Sequence, residues 1–241
     1  MINTSTSKTQ NKKKIGILGG MGPLASANIY LKIVKIAQEM YHAEQDTDFP
    51  PIFIYSLPLF GFDETGFVDP TLVKDQLITG VKKLEDAGSN FIIIACNTVH
   101  HFYQEMQNLV KIPILSIIEE TAKAIKEKGY KVVGLLSSES TNELKIYQKI
   151  FNNYSIKVLS LNKHQQNLIN QVIIHVMAGT QGYIDKRCIQ SIIDNLCEQG
   201  AESIVLGCTE LPLIFNQDDT NIPLFDSAEI IVKSALKHSL C

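Results

Sequence analysis

Phe91 to Thr98 reads FIIIACNT, and Ser203 to Thr209 reads SIVLGCT. In both stretches a short, continuous apolar run, which is typical of a buried strand, ends in a cysteine that small polar residues follow. A glycine stands eight residues before each of these cysteines, Cys96 and Cys208. The repetition predicts two copies of one α/β unit, each with a cysteine at the tip of a strand.

Around these stretches, short apolar runs alternate with amphipathic segments of helical length. Strands that alternate with helices are typical of parallel sheets covered on both faces. We therefore predict an α/β fold of two similar parallel-sheet domains related by a pseudo-two-fold axis, with the active site in the cleft between them. Ligands of such sheets bind beyond the carboxyl ends of the strands, which is where both cysteines fall.

The limits of the two units follow from the repeat. Residues 1–12 are polar and lack periodicity, so we expect a disordered tail there. The first α/β domain is predicted to span 13–116 and 222–241, because the last strand and helix of the chain are expected to pack back on the first unit. The second domain is predicted to span 117–221.

The composition excludes several kinds of partner. The 241 residues carry a formal net charge of −3 with both signs interspersed, which gives no basic stripe for nucleic acid. No apolar run approaches the roughly 18 residues that a membrane span requires, and the polar N-terminus has no apolar signal region. We therefore expect a cytoplasmic protein whose partner is a small molecule. Five cysteines without CxxC spacing indicate reduced thiols rather than a disulfide framework.

Cys96 and Cys208 are candidate catalytic residues. A cysteine between a strand and a helix, such as the helix expected at 99–109, meets the positive end of the helix dipole and free backbone amides. Both lower the pKa of the thiol from its ordinary value of about 8.5, so we expect thiols that act as bases at neutral pH. A lone cysteine there is often only a small buried side chain, but a matched pair favours function. Two thiols that face one cleft can invert a carbon, since one removes a proton and the other delivers one to the opposite face.

Four stretches of the sequence resemble the pyridoxal-phosphate-independent aspartate/glutamate racemases. They are KIGILGGMGPLASANIY from Lys14, FIIIACNTVH from Phe91, IPILSIIEET from Ile112 and GCTELPLI from Gly207. The resemblance is strongest to the aspartate racemases and their broad-specificity amino-acid racemase relatives, and it covers nearly the whole chain. It implies a homodimeric amino-acid racemase that needs no cofactor and no metal, with the two repeated cysteines as its bases.

Polar residues beside the cysteines are candidate substrate ligands. Removal of an α-proton builds negative charge on the substrate carboxylate, and donors aimed at that charge stabilise the transition state. Asn97, Thr98 and Thr209 carry suitable donors, although such residues also cap helices. Glu210 is expected to bind the substrate amine or to orient Cys208, although a carboxylate at the start of a helix is often simply solvated.

Further substrate ligands come from elsewhere in the chain. The family resemblance adds Ser138 and Thr141 to the carboxylate site. We also expect Met21 and Gly22 to close the floor of the pocket, although a glycine turn alone serves packing equally well.

One part of the family pattern is missing. Aspartate racemases typically carry an arginine in the loop after the second strand and a lysine before the Ala-Gly pair of the second unit, and both hold the side-chain carboxylate of the substrate. Here the loop 57–70 contains neither Arg nor Lys, and Met177 precedes Ala178-Gly179. Because a buried unpaired carboxylate is costly, we predict a non-acidic substrate. Asp63 and Glu64 of the loop are candidates to receive a cationic side chain.

Three alternatives remain open. Gly20-x-Gly22-x-x-Ala25 fits a dinucleotide-binding turn, which would indicate an NAD(P)-dependent oxidoreductase, although Pro23 occupies the turn. Cys96, His100 and His101 would begin a metal site, but no second cluster of ligands completes it. A protein that binds an amino acid without turnover is the third.

Overall fold

The computed structural model describes residues 12–63 and 66–240. Residues 1–11 of the predicted tail, and Glu64 of the predicted specificity loop, lie outside the described residues. The strands are β1 (Ile15–Gly19), β2 (Ile52–Ser56), β3 (Phe62–Asp63), β4 (Gly66–Phe67), β5 (Phe91–Ile94), β6 (Ile114–Leu115), β7 (Val132–Leu136), β8 (Lys157–Leu159), β9 (Ser203–Leu206) and β10 (Leu224–Asp226). The α-helices are α1 (Pro23–Tyr41), α2 (Pro70–Asp86), α3 (Tyr103–Gln107), α4 (Ile117–Lys128), α5 (Glu139–Glu143), α6 (Ile146–Phe151), α7 (Lys163–Ala178), α8 (Tyr183–Glu198) and α9 (Ser227–Leu240). Within the described ranges, no helix is both long enough and apolar enough to cross a membrane.

Two four-stranded parallel sheets form the two halves of the molecule. Their strand orders are β2-β1-β5-β6 and β8-β7-β9-β10, so each strand of one sheet has a counterpart in the other. Hydrogen bonds at equivalent places agree: the N–H of Ile92 donates to the carbonyl of Pro113, and the N–H of Ile204 donates to that of Pro223, each at 2.9 Å. The predicted fold of two similar parallel-sheet α/β units is therefore confirmed.

The continuous apolar runs of β5 and β9 form strands because both faces of each strand are buried. On β5, Ile92 and Ile94 pack in a core with α2, whereas Phe91 and Ile93 belong to a core that both halves share. The second sheet repeats the arrangement, with α7 and α8 over its outer face. The shared core holds α1, α4, α6 and α9 between the two sheets.

The helix that follows each sheet packs across the boundary between the halves. α4 follows the first sheet but packs on α6, while α9 follows the second sheet but packs on α1 and α4. β10 pairs with β9, so the prediction that the last strand packs on the first unit is wrong, although the last helix does pack there. The open edge of β9 carries backbone N–H and C=O groups that need hydrogen-bond partners. β10 supplies these partners, as β6 does for β5. The remaining domain limits stay a prediction.

A glycine turn carries the chain from β1 into α1. Gly20 adopts a φ of +97°, and a Cβ built there would meet the backbone carbonyl of Leu57. The hydroxyl of Ser26 accepts the N–H of Gly20 and donates to the carbonyl of Gly22, both at 2.8 Å. Pro23 begins the helix, where its missing N–H costs nothing. The turn thereby holds Gly22 at the carboxyl end of β1.

The helices that follow the cysteines are short. The helix expected at 99–109 is instead a 3-10 helix, Thr98–Phe102, followed by the five-residue α3. The first helical segment after Cys208 is the three-residue 3-10 helix Leu211–Leu213. β-Branched and aromatic residues fill the first of these segments, and they are weak helix formers. Such short segments give the neighbouring thiols little of the field that a long α-helix would supply.

Gly20→Ala is expected to destabilise the fold more than Gly129→Ala. Both glycines have a positive φ, +97° and +82°, but a Cβ at Gly129 would meet nothing within 4 Å. Alanine should therefore cost about 1–2 kcal/mol at Gly129, from backbone strain alone, and clearly more at Gly20. Denaturant-induced unfolding measures both losses. Equal losses would show that the close approach to Leu57 does not constrain this position.

Candidate active site

A cleft opens between the two halves beyond the carboxyl ends of the central strands. It encloses about 790 Å³, a volume that includes its open mouth. Both repeated cysteines line it. The residues that the sequence singled out and that line the cleft are Met21, Gly22, Asp63, Cys96, Asn97, Thr98, Ser138, Met177, Cys208, Thr209 and Glu210. Thr141 lies behind them, where it contacts the hydroxyls of Thr98 and Ser138.

The cleft also has an apolar wall, formed by Leu59, Phe62, Ile173 and Met177. The sequence analysis missed the first three of these residues. Leu59 and Phe62 belong to the loop after β2, part of which folds into the small antiparallel hairpin of β3 and β4. Ile173 lies one helical turn before Met177 on α7, so the two side chains share a face. That four-residue spacing is the signal from which Ile173 could have been found.

Cys96 lies directly beyond β5 and is 6% exposed. Burial raises the pKa of its thiol to about 12, and the negative charge of Glu210 acts in the same direction. The N–H groups of Val99 and Thr98 favour the thiolate, but they do not offset the burial. The expectation of a lowered thiol pKa is therefore wrong for the resting protein, because desolvation outweighs the backbone donors.

Cys208 lies beyond β9 and is partly buried. Its S–H donates a hydrogen bond of 3.0 Å to Oε2 of Glu210. Burial, followed by the negative charge of Glu210, raises the pKa of the Cys208 thiol well above its ordinary value, and the expected lowering is wrong here too. A charge on Cys96 would raise this pKa further, as expected for two thiols that share one cleft. At neutral pH both thiols therefore carry their protons in the resting state.

Glu210 connects the two halves of the cleft. It is 5% exposed, and its Oε1 accepts the N–H of Gly22 from the first half at 3.1 Å. Its Oε2 accepts the S–H of Cys208 and the O–H of Thr209, the latter at 3.2 Å. The hydrogen bond agrees with the predicted orientation of Cys208 by Glu210, and the burial of Glu210 contradicts the alternative of a solvated carboxylate.

Three hydroxyl groups from both halves meet at one side of the cleft. Oγ1 of Thr98 lies 2.8 Å from Oγ1 of Thr141 and 3.2 Å from Oγ of Ser138. Ser138 in turn donates to Thr141 at 3.1 Å, and all three residues are buried. Each hydroxyl can rotate its proton toward a new acceptor. Such a cluster can therefore donate to an anion that enters the cleft.

Asn97 lines the cleft, but its amide is engaged behind it. Its Oδ1 accepts the O–H of Tyr147 at 2.8 Å, and its Nδ2 donates to Oγ of Ser227 at 3.3 Å. Both partners come from the second half of the chain. These contacts could not be read from the sequence, because nothing near Asn97 along the chain indicates them.

The structure gives no support to the metal-site alternative. Nδ1 of His100 donates to the carbonyl of Cys96 at 2.9 Å, and its Nε2 accepts the N–H of Ile117 at 3.3 Å. Burial lowers the pKa of His100 to about 4, so the ring is neutral. His101 lies against the ring of Phe67. In the part of the chain that the structure describes, no group of three or more His, Cys, Asp and Glu side chains could hold a metal ion.

The dinucleotide alternative is also disfavoured, because the amides of the glycine turn are occupied. The N–H of Gly20 bonds to Ser26, and the N–H of Gly22 bonds to Glu210. A dinucleotide-binding turn would direct such N–H groups at the pyrophosphate.

Comparisons with known proteins agree with this geometry. The family model described as Asp/Glu/Hydantoin racemase matches residues 18–235. The broad-specificity amino-acid racemase RacX of Bacillus subtilis (strain 168) is 32% identical over 92% of this chain and 96% of that protein. The structure of Picrophilus torridus aspartate racemase has a TM-score of 0.81 and 28% identity, covering 94% of both chains. An aspartate racemase homologue from Pyrococcus horikoshii OT3 has a TM-score of 0.80 and 32% identity, covering 94% of this chain and 99% of that chain.

Fold, cleft and relatives together define the class of protein as an isomerase that acts on amino acids. The chain belongs to the Asp/Glu/Hydantoin racemase family. The family and the enzyme class that the sequence predicted are therefore confirmed.

Glu210→Gln is expected to lower the pKa of the Cys208 thiol. Glutamine keeps the shape of the side chain and removes the negative charge that opposes ionisation, so the thiolate should form at lower pH. The rate of iodoacetamide alkylation at each cysteine, followed against pH by peptide mass spectrometry, measures this shift. Glu202→Gln, which removes an exposed carboxylate outside the cleft, is the control and should leave the Cys208 midpoint unchanged. An unchanged midpoint in Glu210→Gln would contradict the role of the Glu210 charge.

Proposed function

We propose that the protein racemises a non-acidic amino acid without a cofactor, by a two-base mechanism in which Cys96 and Cys208 act on opposite faces of the α-carbon. One observation carries this proposal: two thiols from equivalent strands border the same cleft. A single base tends to return a proton to the face from which it came. Two groups on opposite faces are what inversion requires.

The proposed reaction moves two protons. The thiolate of one cysteine removes the α-proton, so a C–H bond breaks and an S–H bond forms. The electron pair is delocalised into the substrate carboxylate, whose growing charge the hydroxyls of Thr98 and Ser138 can stabilise, while Thr141 orients them. The O–H of Thr209 is engaged by Glu210. The other cysteine then delivers its proton to the opposite face. The enzyme is left with thiol and thiolate exchanged, ready for the opposite enantiomer or for proton exchange with water.

Substrate binding must produce the first thiolate, because both thiols are protonated in the resting state. Glu210 already accepts the S–H of Cys208, so it is the nearest acceptor for that proton. The α-ammonium of a bound amino acid would bring a positive charge to this side of the cleft. An opposite charge nearby favours the thiolate, and it thereby reverses the effect of burial. The base is thus formed only when a substrate is present.

The lining of the cleft supports a substrate without a second carboxylate. Among the described residues, those that line the cleft include no Lys, Arg or His. A carboxylate on the substrate side chain would move from water into a cleft that offers it no cationic partner, and this transfer costs several kcal/mol. The apolar wall instead offers contacts for an aliphatic or thioether side chain, and Asp63 lines the same cleft. Similarity to a relative named as a broad-specificity amino-acid racemase supports an amino acid as the substrate.

Cys96→Ala and Cys208→Ala are each expected to reduce racemisation by about 10²–10⁴-fold, the usual effect of losing a general acid or base. Cys197→Ala, which changes an exposed cysteine on α8, is the control and should retain activity. Chiral chromatography and α-proton exchange in D₂O, run on aspartate, glutamate, lysine, arginine and neutral amino acids, provide the measurement. Fast and exclusive turnover of aspartate would contradict the proposed substrate class. Full activity of either variant would contradict the mechanism.

Met177→Lys is expected to shift the specificity toward glutamate or aspartate. The new ammonium group would offset the desolvation of a side-chain carboxylate, and partial exposure at this position limits the gain to about tenfold. The measured quantity is the kcat/KM for each acidic substrate relative to that for the best neutral one. Met177→Leu keeps the apolar wall and should leave this ratio unchanged. The same ratio in both variants would show that Met177 does not face the substrate side chain.

Two further properties stay predictions. The family resemblance implies a homodimer, and the composition is consistent with a cytoplasmic protein.

A further inference from the structure

Tyr147, on α6, lies between the two turns that carry the cysteines. It is fully buried, and its hydroxyl donates to Oδ1 of Asn97, the residue after Cys96. Its ring lies against the residue before Cys208, because a Cβ built on Gly207 would come within 3.1 Å of the ring. One side chain therefore touches both cysteine-bearing turns.

The ring of Tyr147 is itself fixed. It packs edge-on against Phe151, with ring centroids 5.1 Å apart and an interplanar angle of 76°. Such aromatic pairs have preferred geometries, so the phenol cannot move without losing that contact. Tyr147 is thus a rigid spacer rather than a mobile side chain.

A second set of bonds links the same two turns. Nδ2 of Asn97 donates to Oγ of Ser227, and that hydroxyl donates to the carbonyl of Leu206 at 2.8 Å. Leu206 is the last residue of β9, two positions before Cys208. The Asn97 amide is therefore held at both ends by groups of the second half.

We propose that Tyr147 is a positioning residue, which sets the place of the Cys96 thiol relative to Cys208 through its bond to Asn97 and its contact with Gly207. The part of the proposal that concerns proton transfer rests on the proposed function. Loss of the hydroxyl would leave Oδ1 of Asn97 without this donor in a buried site, and an unsatisfied buried acceptor drives a local rearrangement. The rearrangement would displace Cys96, whereas Gly207, the residue before Cys208, would keep its contact with the ring.

Thiol reactivity tests the positioning without any substrate. In Tyr147→Phe, the alkylation of Cys96 by iodoacetamide should be several-fold faster than in the unmodified protein, because the displaced turn admits reagent to a thiol that is 6% exposed. Alkylation of Cys208 should change little. Tyr154→Phe removes a hydroxyl that bonds to Glu119 outside the cleft and is the matched control. If Tyr147→Phe does not fold, Ser227→Ala serves in its place. It removes the other partner of Asn97 and should likewise speed the alkylation of Cys96.

Isotope effects test the catalytic consequence, with methionine deuterated at the α-carbon as the probe. If Tyr147→Phe weakens proton transfer at Cys96 alone, the deuterium effect on kcat/KM should rise for the enantiomer from which Cys96 removes the proton. It should fall for the other enantiomer. A merely loosened fold would lower both rates and leave the two isotope effects alike.

The two tests separate the two proposals. If the wild type racemises methionine but Tyr147→Phe matches Tyr154→Phe in both tests, the positioning role is overturned. If the wild type racemises none of the amino acids in the panel but Tyr147→Phe alters Cys96 selectively, the positioning stands and the proposed function fails.

Discussion

A buried carboxylate that takes donors from both halves of the chain is the interaction on which the site depends. Glu210 would be costly to bury alone, and it is compensated by an N–H from the first half and by S–H and O–H groups from the second. The N–H of Gly22 reaches it only when the two halves are closed on each other. The same closure brings the two thiols into one cleft. The stabilisation of the buried Glu210 carboxylate and the placement of the two cysteines therefore depend on the same contact between the halves.

Much of the fold could be predicted because short stretches of the sequence determine it. Strands that are buried on both faces require continuous apolar runs, and the repeat of such a run before Cys96 and Cys208 indicates two equivalent units. Parallel strands bring their carboxyl ends to one edge, so polar residues that follow the runs, such as Thr98 and Glu210, could be placed at a site. For this reason, residues that directly follow a strand can be assigned to the site from the sequence.

The rest depends on contacts that no local pattern records. The pKa of each thiol is decided mainly by its burial, which the neighbouring residues in the sequence do not reveal, so the nearby amides alone predicted the wrong direction. The same holds for the apolar wall of the cleft and for Tyr147, whose contacts join residues that are far apart in the sequence. β10 is the counterpart of β6 in the repeat, and it pairs with the cysteine-bearing strand β9 as β6 pairs with β5.

The packing of α4 and α9 bears on how the molecule folds. Each of these helices packs on helices of the other half, so a half on its own would leave apolar helix faces exposed to water. Neither half is then an autonomous folding unit, and the two should melt together.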